Sequence, residues 1–201
     1  SDRSVGQWQG SQFKAHADDL ANEYLVSHLK NSFNLPIISE EIVQEPIENL
    51  NDYFIIDPID GTASFAHGFP GWVTQLAYVQ NEKPIMSAIF APVTNEFFFA
   101  EKGKGAFKNN SSLKLTDQTK TSPFSVIDNY PEPKGITQEL FNEMNIQEYV
   151  ESGSIGLKIC RIAEQKADLF FKDMTPRDWD LLPPMLILEE AGGTLIDKNG
   201  D

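Results

Sequence analysis

The chain has 201 residues, of which 40% are hydrophobic and 23% charged, as in an ordinary globular protein. Its formal net charge of -14 argues against a nucleic acid polymer or an anionic membrane surface as a partner. Cys160 is the one cysteine, which excludes an internal disulfide, and no signal region or membrane-length apolar run stands in the sequence. We therefore expect a soluble, cytoplasmic protein.

The first part of the chain predicts a metal-binding α+β portion over residues 1–120. Apolar residues at helical spacing, among them Leu20, Tyr24 and Leu29, predict one amphipathic helix. Short apolar runs separated by turn residues predict strands that form an antiparallel meander. The predicted elements are an irregular arm over 1–14, a helix over 18–33, strands over 37–38, 53–56, 72–79, 85–91 and 96–100, and a loop with a strand over 102–107.

The polar stretch 116–122 predicts a boundary, after which strands and helices alternate. This pattern is typical of a smaller α/β portion over residues 121–201. Its predicted elements are a strand over 124–127, helices over 137–144 and 154–165, a strand over 167–171, a helix over 181–191 and a strand over 194–197.

The hexapeptide Asp57-Pro58-Ile59-Asp60-Gly61-Thr62 follows the apolar run 53–56 and predicts a site at the end of a buried strand. Two carboxylates at this spacing can converge on one point, and oxygen ligands of this kind suit a hard divalent cation. The glycine lets the backbone approach a ligand, and the N–H groups after it can hold a phosphate. By itself the segment is equally compatible with an ordinary Asp-Pro and Asp-Gly loop.

Two other acidic segments accompany the hexapeptide: Ser39-Glu40-Glu41 upstream, and Asp178-Trp179-Asp180 before a helical pattern that ends in Glu189-Glu190-Ala191-Gly192-Gly193. With these three segments in this order, the chain from about Ala17 to Asp197 resembles the inositol monophosphatase family. The resemblance implies a layered αβαβα architecture like that of sugar phosphatases, mixed α+β and α/β. The family has a further helix before and a strand and helix after the matched region, so we expect a fold that is short at both ends.

Four carboxylates brought together repel one another unless protons or cations neutralise them, and magnesium fits such an all-oxygen set better than zinc. The resemblance implies two or three Mg²⁺ ions held by Asp57, which bridges two of them, and by the other ligands. The implied metal ligands are Glu40, Asp57, the carbonyl of Ile59, Asp60 and Asp180. The implied catalytic residues are Glu40, Thr62, which positions the attacking water, and Asp19 in the first helix; capping of that helix is a nearly equal interpretation of Asp19.

The substrate is predicted less sharply. Gly61 and Thr62 are expected to hold the phosphate, and by resemblance Ser154 and Asp173 are expected to contact substrate hydroxyls. The segment 65–70 favours a small polyol phosphate, inositol monophosphate by preference. Lys158 instead looks like relatives that hydrolyse 3′-phosphoadenosine 5′-phosphate, because its charge would neutralise a second phosphate; a solvated helix position is an equal interpretation.

Three functions therefore stand as expectations. The first is a magnesium-dependent, lithium-sensitive phosphomonoesterase of polyol phosphates that acts by two-metal activation of water. The second is a 3′(2′),5′-bisphosphate nucleotidase. The third is a truncated, inactive member that binds metal and phosphate. The expected partner is a small-molecule phosphate ester, and a homodimer is a possible assembly.

Overall fold

A computed structural model describes residues 6–9, 12–42, 50–116, 123–129, 131–144, 146–197 and 199–200. The elements up to residue 113 are β1 (Gly6–Gln9), β2 (Gln12–Ala15), α1 (His16–Ser32), β3 (Ile37–Ser39), β4 (Asp52–Asp60), α2 (Thr62–His67), β5 (Val73–Gln80), β6 (Lys83–Ala91), β7 (Glu96–Glu101), β8 (Gly105–Lys108) and β9 (Ser111–Leu113). The later elements are β10 (Phe124–Asp128), α3 (Ile136–Glu143), β11 (Ile146–Glu151), α4 (Ile155–Ala163) and α5 (Asp178–Ala191).

Within the described ranges, β3 to β9 form a seven-stranded sheet in chain order. The β3–β4 pair is parallel and the later neighbours are antiparallel, which confirms the predicted meander and the mixed α+β character. Helix α1 covers one face of the sheet, and α4 and α5 form the layer on the other. The layered αβ architecture expected from the resemblance is therefore present.

Strand β4 is apolar without alternation because it is covered on both faces. Phe54 and Ile56 pack with residues of α1, whereas Tyr53 and Ile55 pack with the opposite layer, where α5 lies. Successive side chains of a strand point to opposite faces, so a strand between two layers needs apolar residues at every position. Truncating Ile56, which is fully buried, to alanine is expected to cost about 2–5 kcal/mol.

The largest apolar cluster joins the two predicted portions of the chain. It contains Ile89 and Phe98 from the main sheet together with Leu157 from α4 and Leu186 from α5. Residues on either side of position 120 thus share one core, and the division at that point stays a prediction. Residues 117–122 lie outside the described ranges.

Helix α5 begins three residues before the start that the sequence predicts. It runs from Asp178, so Pro183 and Pro184 stand in its second turn instead of its first. The proline pair therefore does not mark the start of the helix, although proline is well tolerated in a first turn. At the start of the helix, the backbone N–H of Arg177 donates to Asp180 Oδ2 at 2.8 Å, and the backbone N–H of Asp180 donates to the Arg177 carbonyl at 3.0 Å.

The second sheet differs from the prediction at three places. Within the described residues it pairs β10 with β11 in parallel, and the β11 segment was not predicted, because its polar residues give no apolar alternation. The predicted strand 167–171 is reduced to one bridge, between Val126 and Leu169. The carboxylate of Asp168 accepts bonds from the N–H and hydroxyl of Ser125, both at 2.7 Å, and so ends the ladder. The predicted strand 194–197 is wrong: this segment lies in no described strand, and Ile196 is 69% exposed.

The irregular arm predicted over residues 1–14 is also wrong for the residues described there. β1 and β2 pair as an antiparallel hairpin, with Gln9 opposite Gln12. The intervening Gly10-Ser11 is a dipeptide typical of a tight hairpin connection, and it is the signal that could have found this element.

Candidate active site

Asp57 and Asp60 lie together at the carboxyl end of β4 because the strand is irregular between them. Residues three apart in a regular strand point to opposite faces, but the pairing with β5 shifts register between Asp57 and Asp60. Carboxylate oxygens of Asp57, Asp60 and Asp180 consequently lie within 4.8 Å of one another. The structure thus brings together three of the four acids predicted to hold metal, from segments more than 100 residues apart in sequence.

Asp180 reaches the cluster from the first turn of α5. Its Oδ2 accepts the backbone N–H of Arg177 at 2.8 Å, which fixes the side chain against the start of the helix. Asp60 is held in a similar way by a different helix. It accepts the N–H groups of Gly156 at 2.7 Å and Ile155 at 3.3 Å, at the start of α4, where unpaired N–H groups and the helix dipole favour an anion.

Glu40 follows β3 and stands beside Asp57. Its backbone N–H donates to the Ile56 carbonyl at 3.3 Å, and its side chain shares a hydrogen bond with the Asp57 carboxyl. Burial, followed by the charge of Glu41, raises the pKa of Glu40 from 4.5 to about 7. Glu40 is therefore part of the acidic site, although its oxygens stand apart from the set that Asp57, Asp60 and Asp180 form.

The acids of the site all have raised pKa values. Burial, with the charges of Asp60 and Glu40, raises the pKa of Asp57 well above 3.8; burial also raises the pKa of Asp60 to about 6 and the pKa of Asp180 above 3.8. Because desolvation and mutual repulsion both favour the neutral form, the acids accept either protons or cations.

The residues fit a divalent cation by a further observation. Asp57 Oδ1 is buried and has no hydrogen-bond partner within the described part of the chain. A buried carboxylate oxygen without a partner is costly unless a ligand meets it. The donor set consists of carboxylate oxygens, with no sulfur or imidazole among the clustered ligands, and this matches Mg²⁺ better than Zn²⁺.

Thr62 is placed by two acceptors at the start of α2. Its hydroxyl lies 3.0 Å from the Ile59 carbonyl and 3.4 Å from Asp18 Oδ1. The expectation that Asp19 supplies the acid of the first helix is therefore not met by the geometry: Asp18 is 1% exposed and lies against Thr62, whereas Asp19 is exposed.

The helix phase explains this displacement by one residue. Asp18 shares the inward face of α1 with Leu25 and Leu29, both packed on the sheet. Of the residues predicted to share one face, Leu29 packs on the sheet, whereas Leu20 and Tyr24 are 48% and 64% exposed. The spacing 18, 22, 25, 29 is the signal that would have identified Asp18.

Gly61 makes the turn from β4 into α2 and needs to be a glycine. Its φ of 91° lies in the left-handed region, and a Cβ there would stand 3.2 Å from both the Gly71 carbonyl and the Ser154 Cβ. The first turn of α2 carries no acidic residue. That Gly61 and Thr62 hold the phosphate stays a prediction.

The predicted substrate residues are placed differently from expectation. Ser154 is fully buried, and its Oγ accepts the Leu157 N–H at 2.8 Å as the cap of α4. Asp173 is exposed beside Gly135, at the start of α3. Neither side chain is among the groups that the structure brings to the acid cluster.

Lys158 contradicts both interpretations made from the sequence. It is 1% exposed, so it is neither a solvated helix residue nor an open phosphate ligand. Its Nζ lies 2.6 Å from Asn129 Oδ1, 3.4 Å from Asp128 Oδ1 and 5.2 Å from the centre of the Phe170 ring. Burial lowers the pKa of Lys158 to about 8, despite the opposing charge of Asp128. The amphipathic pattern of α4 gave no sign that this charge is internal.

Comparisons with known proteins agree with the geometry. The profile of the inositol monophosphatase family matches residues 4–201. Inositol monophosphatase 2 of Solanum lycopersicum is 31% identical over 195 residues, which are 90% of this chain and 74% of that protein. A protein named fructose-1,6-bisphosphatase/inositol-1-monophosphatase from Methanocaldococcus jannaschii is 32% identical over 192 residues, covering 94% of this chain and 71% of its own length.

A solved structure shares the fold closely. The extragenic suppressor protein suhB from Bartonella henselae superposes with a TM-score of 0.85 at 26% identity, covering 97% of this chain and 78% of that one. In the part of this chain that the structure describes, no helix is long and apolar enough to cross a membrane.

Proposed function

Because the chain belongs to the inositol monophosphatase family, whose members hydrolyse phosphoric monoesters, we propose that it is a magnesium-dependent phosphatase of small polyol phosphates. Inositol monophosphate is the preferred substrate. The observation that carries the proposal is the cluster of Asp57, Asp60 and Asp180, with a buried and unpartnered oxygen on Asp57.

The cations would be held by the side chains of Asp57, Asp60, Asp180 and Glu40 and by the carbonyl of Ile59. When bound, Mg²⁺ supplies Lewis acidity, which makes water a better nucleophile and neutralises charge that develops on the phosphoryl oxygens. Asp57 would be the ligand shared by two ions, because its carboxyl interacts with those of Asp60, Glu40 and Asp180.

The remaining residues orient the reactants. Thr62 would hold the attacking water through its hydroxyl, which Asp18 and the Ile59 carbonyl keep in one orientation. The N–H groups that follow Gly61 would hold the phosphate at the start of α2. Water then displaces the alcohol in line, and the products are inorganic phosphate and the free polyol.

The polyol is favoured over a bisphosphate nucleotide by the position of Lys158. Its ammonium is occupied by Asn129 and Asp128 inside the protein, so it offers no exposed charge for a second phosphate. The names of the two curated relatives, which refer to inositol phosphates and fructose 1,6-bisphosphate, agree with a substrate that is a phosphorylated polyol or sugar.

The test is phosphate release against added Mg²⁺ from inositol monophosphate, fructose 1,6-bisphosphate and 3′-phosphoadenosine 5′-phosphate. We expect turnover that requires Mg²⁺, is fastest on inositol monophosphate and is abolished in Asp57→Asn. Asp52→Asn is the matched control, because Asp52 lies on the same strand and bonds Tyr78 and Gln80 instead of the cluster. Turnover in excess chelator would refute the metal mechanism, and a folded protein that releases no phosphate from any ester would support the inactive binder.

A further inference from the structure

Gln75, a buried residue of β5, contacts both of the elements that bring Asp60 and Asp180 together. It is 1% exposed and stands opposite Asp57 in the register of β4 and β5. Its Nε2 donates to the Trp179 carbonyl at 2.9 Å and lies 3.4 Å from Asp60 Oδ2. One amide group therefore links the end of β4 to the first turn of α5.

The bond to Trp179 exists because of a proline. In a regular helix the Trp179 carbonyl would accept the N–H of residue 183, but Pro183 has none. Gln75 supplies the missing donor from the neighbouring sheet. Pro183 therefore leaves the Trp179 carbonyl, next to Asp180, without its helical donor, and Gln75 donates to this carbonyl instead.

The orientation of this amide is determined by its surroundings. With the amide turned over, its oxygen would face the Trp179 carbonyl oxygen at the distance of a hydrogen bond. On the other side, a Cβ at Gly156 would lie 2.1 Å from Gln75 Oε1, so the glycine leaves the space that the amide fills. Gln75 is consequently held between the Trp179 carbonyl, Asp60 and the start of α4.

We propose that Gln75 is a positioning residue of the cation site. It acts through its neighbours: it holds the Asp60 carboxylate and the first turn of α5, which carries Asp180, at the separation at which both reach the same ion. This inference rests on the proposed metal-dependent function. Partners that orient metal ligands from outside the ligand set commonly change metal affinity by about 10- to 100-fold.

The test compares Gln75→Met with Gln80→Met by melting temperature, in chelator and across a Mg²⁺ titration. Methionine keeps the length of the side chain and removes its hydrogen bonds. Gln80 is on the same strand, and its exposed amide bonds Asp52 instead of the site. We expect Gln75→Met to raise the Mg²⁺ concentration for half-maximal stabilisation about tenfold, and Gln80→Met to leave it as in the wild type.

A second pair of variants separates positioning from simple support of the fold. Pro183→Ala returns an N–H to the helix, so in Gln75→Met/Pro183→Ala the Trp179 carbonyl again has a donor and the loss of stability in chelator should be reversed. Because the contact to Asp60 is still missing, the half-saturating Mg²⁺ concentration should stay several-fold above that of Pro183→Ala alone. If Gln75→Met by itself does not fold, the comparison of Gln75→Met/Pro183→Ala with Pro183→Ala still tests the inference.

The outcomes distinguish this inference from the function on which it rests. If Mg²⁺ stabilises the wild type but the half-saturating Mg²⁺ concentration is unchanged in the Gln75 variants, the positioning role is overturned and the proposed metal site is not. Full recovery of half-saturation in the double variant would overturn it as well, since the contact to Asp60 would then contribute nothing. If Mg²⁺ does not change the melting temperature of the wild type, both the proposed function and this inference are overturned.

Discussion

Replacing Asp57 by asparagine is expected to stabilise the metal-free protein while it abolishes activity. Asp57 is 1% exposed, with an unpartnered oxygen beside the other acids, so its negative charge opposes folding when no cation is present. Each unit by which the fold raises the pKa of a carboxyl corresponds to about 1.4 kcal/mol against its charged form, so removal of this charge is expected to stabilise the metal-free protein by on the order of 1 kcal/mol or more. In a chain of this length, each kcal/mol corresponds to about 2–4 °C in melting temperature.

The pH dependence of this gain follows from the sign of the shifts. The folded-state pKa values of Asp60 and Glu40 are raised to about 6 and about 7, and that of Asp57 is raised as well. Stability from the protonated acids is complete below the unfolded-state values near 4 and is lost as pH rises through about 6 to 7. Because the pKa of Asp57 is raised by burial, the asparagine should change stability least at low pH, where the acids are protonated, and most at pH 8.

The assay is thermal unfolding of the wild type, Asp57→Asn and Asp52→Asn at pH 5, 6.5 and 8, each with chelator and with Mg²⁺. Magnesium should raise the melting temperature of the wild type more at pH 8 than at pH 5, because protons compete for its ligands. Asp57→Asn should lose most of this response. An Asp57→Asn protein less stable than the wild type in chelator at pH 8, or a gain independent of pH, would refute the reasoning.

Three further predictions concern the buried lysine, the first helix and the second ion. Lys158→Met should leave Asp128 buried without its cation and so destabilise the fold by about 3–5 kcal/mol in urea unfolding; a variant of wild-type stability with a KM raised tenfold for a bisphosphate nucleotide alone would contradict this placement. Asp18→Asn should lower kcat, because Thr62 loses its charged acceptor, whereas Asp19→Asn should leave kcat within about twofold of wild type; equal losses would show that the acid at position 18 has no special part. Lithium should inhibit turnover at fixed Mg²⁺ by occupying the position made by Asp57 and its neighbours, and rates unaffected at high lithium would count against this mechanism.

The clustering of the acids proposed as metal ligands could be predicted from the sequence, through three acidic segments that together resemble the family. Asp57, Asp60 and Asp180 are acids at the ends of apolar segments, and such ends meet where strands and helices of a layered fold terminate. The sequence also predicted the strands of the main sheet up to β8, since turns with glycine, proline and asparagine separate them, but not β9. These patterns lie within short segments of the chain, so they do not depend on contacts between distant residues.

What sequence reasoning missed depends on distant contacts. Asp19 was implied by the resemblance, whereas the phase of the helix places Asp18 on the face toward the sheet. The contact of Gln75 with the Trp179 carbonyl spans 104 positions and exists because a proline opens the acceptor. Sequence periodicity does not indicate a contact between residues so far apart.

Lys158 shows the same limit for charge. A lysine in a helix is usually solvated, and its burial follows from Asn129 and Asp128, which end a strand about 30 positions earlier. Because that strand belongs to the second sheet, its end is placed by tertiary packing and not by local propensity.

The central claim, that Asp57, Asp60 and Asp180 hold the divalent cation on which hydrolysis depends, is tested most directly by anomalous diffraction from crystals soaked in Mn²⁺. Manganese prefers the same oxygen ligands as magnesium and scatters anomalously. We expect a peak at about 2.1–2.3 Å from oxygens of all three carboxylates, and its loss in Asp57→Asn. A soaked wild-type crystal with strong Mn²⁺ peaks elsewhere on the protein and none among these carboxylates would contradict the account.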